Sequence, residues 1–397
     1  MVRMAETGRR SRRPGCLNLL LAALAVVAML YVGFVVLPPV RSVARTIALV
    51  PELVNLPLRP LGFFSAEPER STTTYGRPAD RLDVYVPAGS HAPRSLPAVV
   101  LALGVHPEDL DHPDIVRVAS AISRLGVVVG VPESTALREL RVTPAEPEHL
   151  ADAVLVLAAR PEVDPRRLGL AGFSAGGSMA LLAAADPRLA QLRFVSDFGG
   201  YADAEVLLVD VATRSMLLAD EVRAWDPDPG IRRDVAVLLA RAIEPAIALH
   251  DLEALLTSIA AADERPARDP DIEAGLSGDA RTAYQLFTAP DRSSATTVMS
   301  AFSPRLRGDL RGISPVAASD GIHGQVFLLH GIGDRAIPVS HAYALAARLP
   351  RGVLAKMTIF GRFEHGPPGR DGLGPEDAGD VFELTLYLHA IIAATTE

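Results

Sequence analysis

The chain has 397 residues, 49% hydrophobic and 22% charged, with a net charge of −8. This is the composition of a globular protein and not of a disordered one, and the length suits one large domain with an insertion or two small ones. Lys356 is the sole lysine, and no basic stripe lies outside the N-terminus, which argues against a nucleic-acid partner. Cys16 is the sole cysteine, so an intrachain disulfide and a thiolate metal cluster are excluded.

Arg3, Arg9, Arg10, Arg12 and Arg13 precede an uncharged stretch. Residues 17–37 of it form an apolar span about 30 Å long as a helix, the thickness of a bilayer's hydrocarbon core. The arginine excess before it predicts a cytoplasmic N-terminus (residues 1–16) and an extracytoplasmic remainder. A cleaved secretory signal competes with this anchor, because Ser42-Val43-Ala44 resembles a small-residue cleavage site. Signal peptides usually carry shorter apolar cores of roughly 7–15 residues, so the length favours the uncleaved anchor over a secreted product. Residues 47–64 are apolar but broken by Pro51, Pro57 and Pro60, and cannot form one straight helix. Residues 38–70 are expected to be a juxtamembrane connector that lies on the lipid surface or packs on the domain.

From residue 71 onward, strands alternate with helices. Residues 71–75 are β-prone, 81–86 alternate polar and apolar, and 97–103 form a continuous apolar run expected of a strand buried on both faces. A helix is predicted over 114–124, a strand over 127–131 and a helix over 146–160. Strands follow at 168–171 and 192–196. The alternation predicts a mostly parallel sheet with helices on both faces. It then stops: residues 199–320 read as successive helices at 202–220, 231–243, 250–262 and 280–287, with no strand signal. An interruption of roughly 120 residues far exceeds ordinary loop lengths. It is expected to be a helical cap lying over the sheet's carboxyl edge, with an apolar acyl pocket beneath it. The α/β rhythm resumes with strand 326–329, helix 340–349, strand 354–360 and helix 377–394, so 71–198 and 321–397 form the main domain.

Gly172-Phe173-Ser174-Ala175-Gly176 sits between the strand at 168–171 and the helical run that begins at Gly177. Strand, sharp turn and helix with a serine at the apex form a nucleophile elbow, whose glycines are needed because the tight turn presses both positions against neighbouring backbone. A serine hydroxyl needs a base, and the base an orienting partner. Asp334 lies on the loop after strand 326–329, and His365 on the loop after the last strand. In a parallel sheet such loops open onto one edge, so Ser174, Asp334 and His365 can converge there.

From about Thr72 onward the chain resembles an α/β-hydrolase. The order Ser, Asp, His matches that family, and His330-Gly331-x-x-Asp334 with Ile337-Pro338 resembles its acid loop. Leu82-Asp83-Val84-Tyr85-Val86-Pro87 resembles an early strand of the esterase and dienelactone-hydrolase-like branches. The resemblance implies Ser174 as nucleophile, His365 as general base and Asp334 as its partner, with no metal or organic cofactor. One oxyanion donor is expected at the Ala175 N–H. In many relatives the strand before the other donor ends in His-Gly; here it ends Leu103-Gly104-Val105-His106, so Val105 is the expected donor, with His106 its neighbouring alternative.

Competing readings attach to several residues. Asp197, after the strand at 192–196, is the rival acid. His106, Asp109, Asp111, His112 and Asp114 form a His/acid cluster better read as a solvated loop and helix start than as a metal site. His250, His323 and His341 are expected to pack or cap. Trp225 is expected in the pocket or in the core. The leading expectation is a membrane-tethered serine hydrolase of carboxylic esters acting outside the cytoplasm. A peptidase or acyltransferase on the same triad, and a non-catalytic membrane-anchored binding protein on the same fold, remain alternatives.

Overall fold

The computed structural model describes residues 38–54, 56, 59–105, 109–243, 249–365 and 373–396. Helix α1 (Pro38–Leu53) and the short α2 (Leu61–Phe64) precede β1 (Glu69–Tyr75), β2 (Asp80–Val86) and β3 (Leu96–Ala102). Then come α3 (Pro113–Arg124), β4 (Val128–Pro132), the one-turn α4 (Thr135–Arg138), α5 (Glu146–Ala158), β5 (Val163–Phe173), α6 (Ala175–Ala184) and β6 (Phe194–Phe198). Helix α3 begins at Pro113, which suits a first-turn position, and His112 caps it by accepting the Asp114 N–H at 3.3 Å.

These strands join β9 (Gln325–Gly331) and β10 (Leu354–Phe360) in one eight-stranded sheet of order β1-β2-β4-β3-β5-β6-β9-β10. Only β2 runs against its neighbours; every pairing from β4 to β10 is parallel. The pleat divides the core in two. Ala98, Val100 and Ala102 of β3 face α5 and α6, whereas Val99 and Leu101 face α1, α3 and the last helix. Both sets are buried, which is why β3 reads as an unbroken apolar run.

Between β6 and β9 the described residues form α7 (Ala204–Thr213), a hairpin of β7 (Ser215–Leu218) and β8 (Glu221–Ala224), and six further α-helices. These are α8 (Pro229–Ile243), α9 (Leu249–Ala261), α10 (Pro270–Gly275), α11 (Gly278–Phe287), α12 (Arg292–Met299) and α13 (Pro304–Gly312). The helix expected over 202–220 is therefore too long, and the expectation of no strand is wrong. Arg214 takes the left-handed conformation (φ 51°) and stops α7, and Ala219 and Asp220 (φ 52° and 65°) turn the hairpin. None of the three is a glycine, so nothing in the sequence flags the break.

Helices α14 (Ser340–Arg348) and α15 (Ala378–Thr396) flank β10. Helix α1 packs along α15 and against α3. Its Leu49 and Val50 are buried, and Ser42 Oγ lies 3.2 Å from His389 Nδ1. Within the expected connector, residues 38–53 pack on the domain as α1. No helix among the described residues is long and apolar enough to cross a membrane. The span expected over 17–37 lies outside the described residues.

Candidate active site

Strand β5 ends at Phe173 and α6 starts at Ala175, leaving Ser174 alone on the turn with φ 54° and ψ −134°. This is an unfavourable backbone conformation for a non-glycine residue. Close packing of main chain holds it. A Cβ on Gly172 would stand 2.2 Å from the Gly176 carbonyl oxygen, and one on Gly176 would stand 2.4 Å from the Leu103 carbonyl oxygen. The Ser174 N–H donates to the Phe198 carbonyl of β6 at 2.8 Å.

Asp334 follows β9 and is fully buried. Its Oδ1 accepts the N–H groups of Ala336 (2.7 Å) and Ile337 (3.0 Å), and its Oδ2 accepts from His365 Nδ1 at 2.8 Å. Burial is the largest influence on this carboxyl and works to raise its pKa. The His365 hydrogen bond, the neighbouring histidines and the Ile337 N–H outweigh it, so the carboxyl is held below its usual range. His330 sits behind, 3.5 Å from Oδ2 and bonded to the Ile337 carbonyl at 2.8 Å; burial lowers its pKa.

Gly199 joins the two halves. It follows Phe198, the partner of Ser174, and a Cβ there would meet the His365 ring at 3.2 Å and Asp334 Oδ2 at 3.5 Å. The imidazole–carboxylate pair and the elbow therefore share the loop after β6. Among the described residues the Ser174 hydroxyl makes no hydrogen bond.

Val105 and Ala175 line one cavity with Ser174, and neither N–H has a main-chain acceptor among the described residues. Gly104 lies against the elbow, where a Cβ would stand 2.9 Å from Ser174 Cβ. His106 lies outside the described residues. The cavity holds about 140 Å³ and is walled by the cap through Leu208, Val235, Leu239 and Ile313, with Asp234 at its exposed rim.

The rival acid Asp197 points elsewhere. It is buried, accepts the Gly200 N–H at 2.9 Å, and is pushed up to about 8 by burial. Asp109 and Asp111 pair with Arg81, and Asp111 also with Arg70. His341 is buried and accepts the Ala202 N–H at 3.0 Å, whereas His323 is exposed. Trp225 takes the core role. Its indole N–H donates to the Asp334 carbonyl at 2.8 Å, the Asp228 N–H donates to the Arg335 carbonyl at 2.8 Å, and Arg335 pairs with Asp226. This clip between cap and acid loop is absent from the sequence expectations; the only signal for it is a lone tryptophan beside a proline- and aspartate-rich turn.

No family model and no curated protein matches the chain. Among solved structures it is similar to an acylaminoacyl peptidase of Pyrococcus horikoshii, with 13% identity and a TM-score of 0.46 over 79% of this chain and 40% of that one. It is also similar to a 2,6-dihydroxy-pseudo-oxynicotine hydrolase, with 15% identity and a TM-score of 0.47 over 82% and 68% of the two chains. A dipeptidyl peptidase 4 of Porphyromonas gingivalis gives 12% identity and a TM-score of 0.45 over 83% and 37%. The chain thus spans well under half of the two peptidases. Its strand order, its elbow and its acid and histidine loops give it the α/β-hydrolase fold.

Proposed function

We propose that the protein is a serine hydrolase that cleaves carboxylic esters through an acyl-enzyme. The observation that carries this reading is the 2.8 Å Asp334–His365 hydrogen bond against the loop that braces Ser174. Ser174 Oγ attacks the ester carbonyl while His365 Nε2 takes its proton and returns it to the departing alcohol. Water then attacks the acyl-enzyme by the same route in reverse. Asp334 holds the Nδ1–H tautomer and stabilises the imidazolium. The N–H groups of Ala175 and Val105 receive the oxyanion, where one donor is worth about 10²–10³ in turnover.

The apolar cavity favours an uncharged acyl group. Asp234 at its rim favours a second reading, a peptidase that recognises a substrate's free amine. Panels of p-nitrophenyl esters and aminoacyl amides separate the two: faster amide than ester turnover reverses the order. A fluorophosphonate probe tests the common chemistry. Wild type should label and Ser174→Ala should not, whereas a folded wild type that stays unlabelled supports the non-catalytic binder.

The same proposal keeps the chain at the membrane through residues 17–37, with the catalytic domain outside the cytoplasm. Cleavage after Ala44 would cut α1 and detach Ser42 from His389, which supports an intact anchor. Carbonate extraction checks it: full-length protein should stay in the membrane fraction, and release of a shortened form would favour the secreted product.

A further inference from the structure

On the sheet face that α5 and α6 do not cover lies a cavity of about 400 Å³, within the ~300–1,000 Å³ typical of small-molecule sites. Leu49 of α1, Ile122 of α3, and Leu388 and Ile391 of α15 roof it over Leu101 and Phe194 of the sheet. The hydroxyls in its wall are already satisfied: Ser196 and Tyr387 bond each other at 2.8 Å, and Tyr387 also reaches the Phe327 carbonyl at 3.1 Å. Water gains little in so apolar a space, because it needs several polar partners to stay.

One charged group in the lining lacks a counterpart. Arg117 pairs with Asp114 at 2.8 Å and donates to the Glu52 carbonyl. Arg45, half-buried in the same wall, makes no ion pair or hydrogen bond among the described residues. Arg41 and Arg167 act on it as like charges, Asp114 and Arg117 share the cavity wall, and among the described residues Arg167 bonds to the carbonyls of Thr395 (3.2 Å) and Ser95 (3.3 Å). Burial first, and Arg41 and Arg167 second, lower the Arg45 pKa, so the site favours an anion. The elements around the cavity also carry outward apolar residues: Val43 and Ile47 on α1, Phe63 and Phe64 (76% and 84% exposed) on α2, and Phe382 on α15. Helix α1 begins directly after the apolar span 17–37, so on the anchored reading the start of α1 lies at the bilayer.

We propose that this cavity binds a single-chain lipid with an anionic head group, its hydrocarbon tail among Leu49, Ile122 and Leu388 and its head group on Arg45. Carboxylate and phosphate heads share this chemistry. The site is separate from the Ser174 cavity and does not rest on the catalytic reading.

The test is a titration of the full chain, in a sugar-headed non-ionic detergent, with the fluorescent fatty acid cis-parinaric acid. Saturable binding is expected, unchanged in Ser174→Ala. Oleate and oleoyl lysophosphatidate should displace the probe at least tenfold better than oleyl alcohol, and the better of the two identifies the head. Arg45→Gln should remove that tenfold preference, and Val118→Trp, which fills the cavity, should abolish binding. Absence of saturable binding, or equal displacement by oleyl alcohol, overturns the proposal. Because Val118→Trp can misfold, a diazirine-bearing palmitate cross-linked to wild type gives an independent location. Label within residues 99–125 or 384–395 supports the site, and label confined to the cap segment 204–242 overturns it.

Discussion

The catalytic loops and the cap meet at one cavity but are held in different ways. At the elbow, backbone presses on backbone: Gly172, Gly176 and Gly104 leave no room for a Cβ, and Ser174 is locked into a strained conformation. The cap is held by apolar side chains and a few hydrogen bonds, chief among them the Trp225 indole on the Asp334 carbonyl. Rigid main chain fixes the chemistry, while replaceable side chains shape what reaches it.

Substitutions on either side of that divide should differ in kind. Asp334→Asn leaves the shape but supports the wrong imidazole tautomer, so kcat for a p-nitrophenyl ester should fall by about 10⁴ with little change in KM. A fall below tenfold would remove Asp334 from its role. Gly172→Ala should destabilise the fold by about 3 kcal/mol or more through overpacking, read from urea denaturation. Normal stability would show that the elbow tolerates a shift.

On the cap side, Trp225→Phe leaves a buried carbonyl unpaired, a loss of about 1–3 kcal/mol. Turnover of p-nitrophenyl esters should drop less than tenfold while acyl-chain preference broadens. An unchanged preference would mean the clip does not hold the pocket wall. A pH-dependent effect is expected at Asp197, which burial pushes up from 3.8 to about 8. Across that window the folded state keeps a proton that the unfolded chain has released, so stability falls as pH rises. Asp197→Asn should flatten the decline of Tm between about pH 4 and pH 8; a slope equal to wild type would show that Asp197 is not its source.

The same divide governs what the sequence discloses. The elbow, the acid loop and the histidine loop are local patterns, each directly after a strand, so spacing and strand order make them legible in the sequence. The β7–β8 hairpin escapes because Met216, Leu217 and Leu218 suit a helix, and its turn uses Ala219 and Asp220 where glycine or asparagine is usual. The docking of α1 is hidden too. Its buried face carries Ser42 and Thr46, polar residues whose partners, His389 and the Ser42 carbonyl, are settled only by the fold. The unpaired Arg45 is equally silent in sequence, since being without a partner is a property of packing.

The seating of α1 on α15 has a consequence for where such an enzyme can work. Unstructured, residues 38–70 would serve as a leash with a reach of roughly 110 Å. Folded against the body of the protein, α1 takes up the first half of that slack. On the anchored reading, the enzyme patrols a thin layer above its own patch of lipid, and molecules deep in the surrounding fluid must come to it.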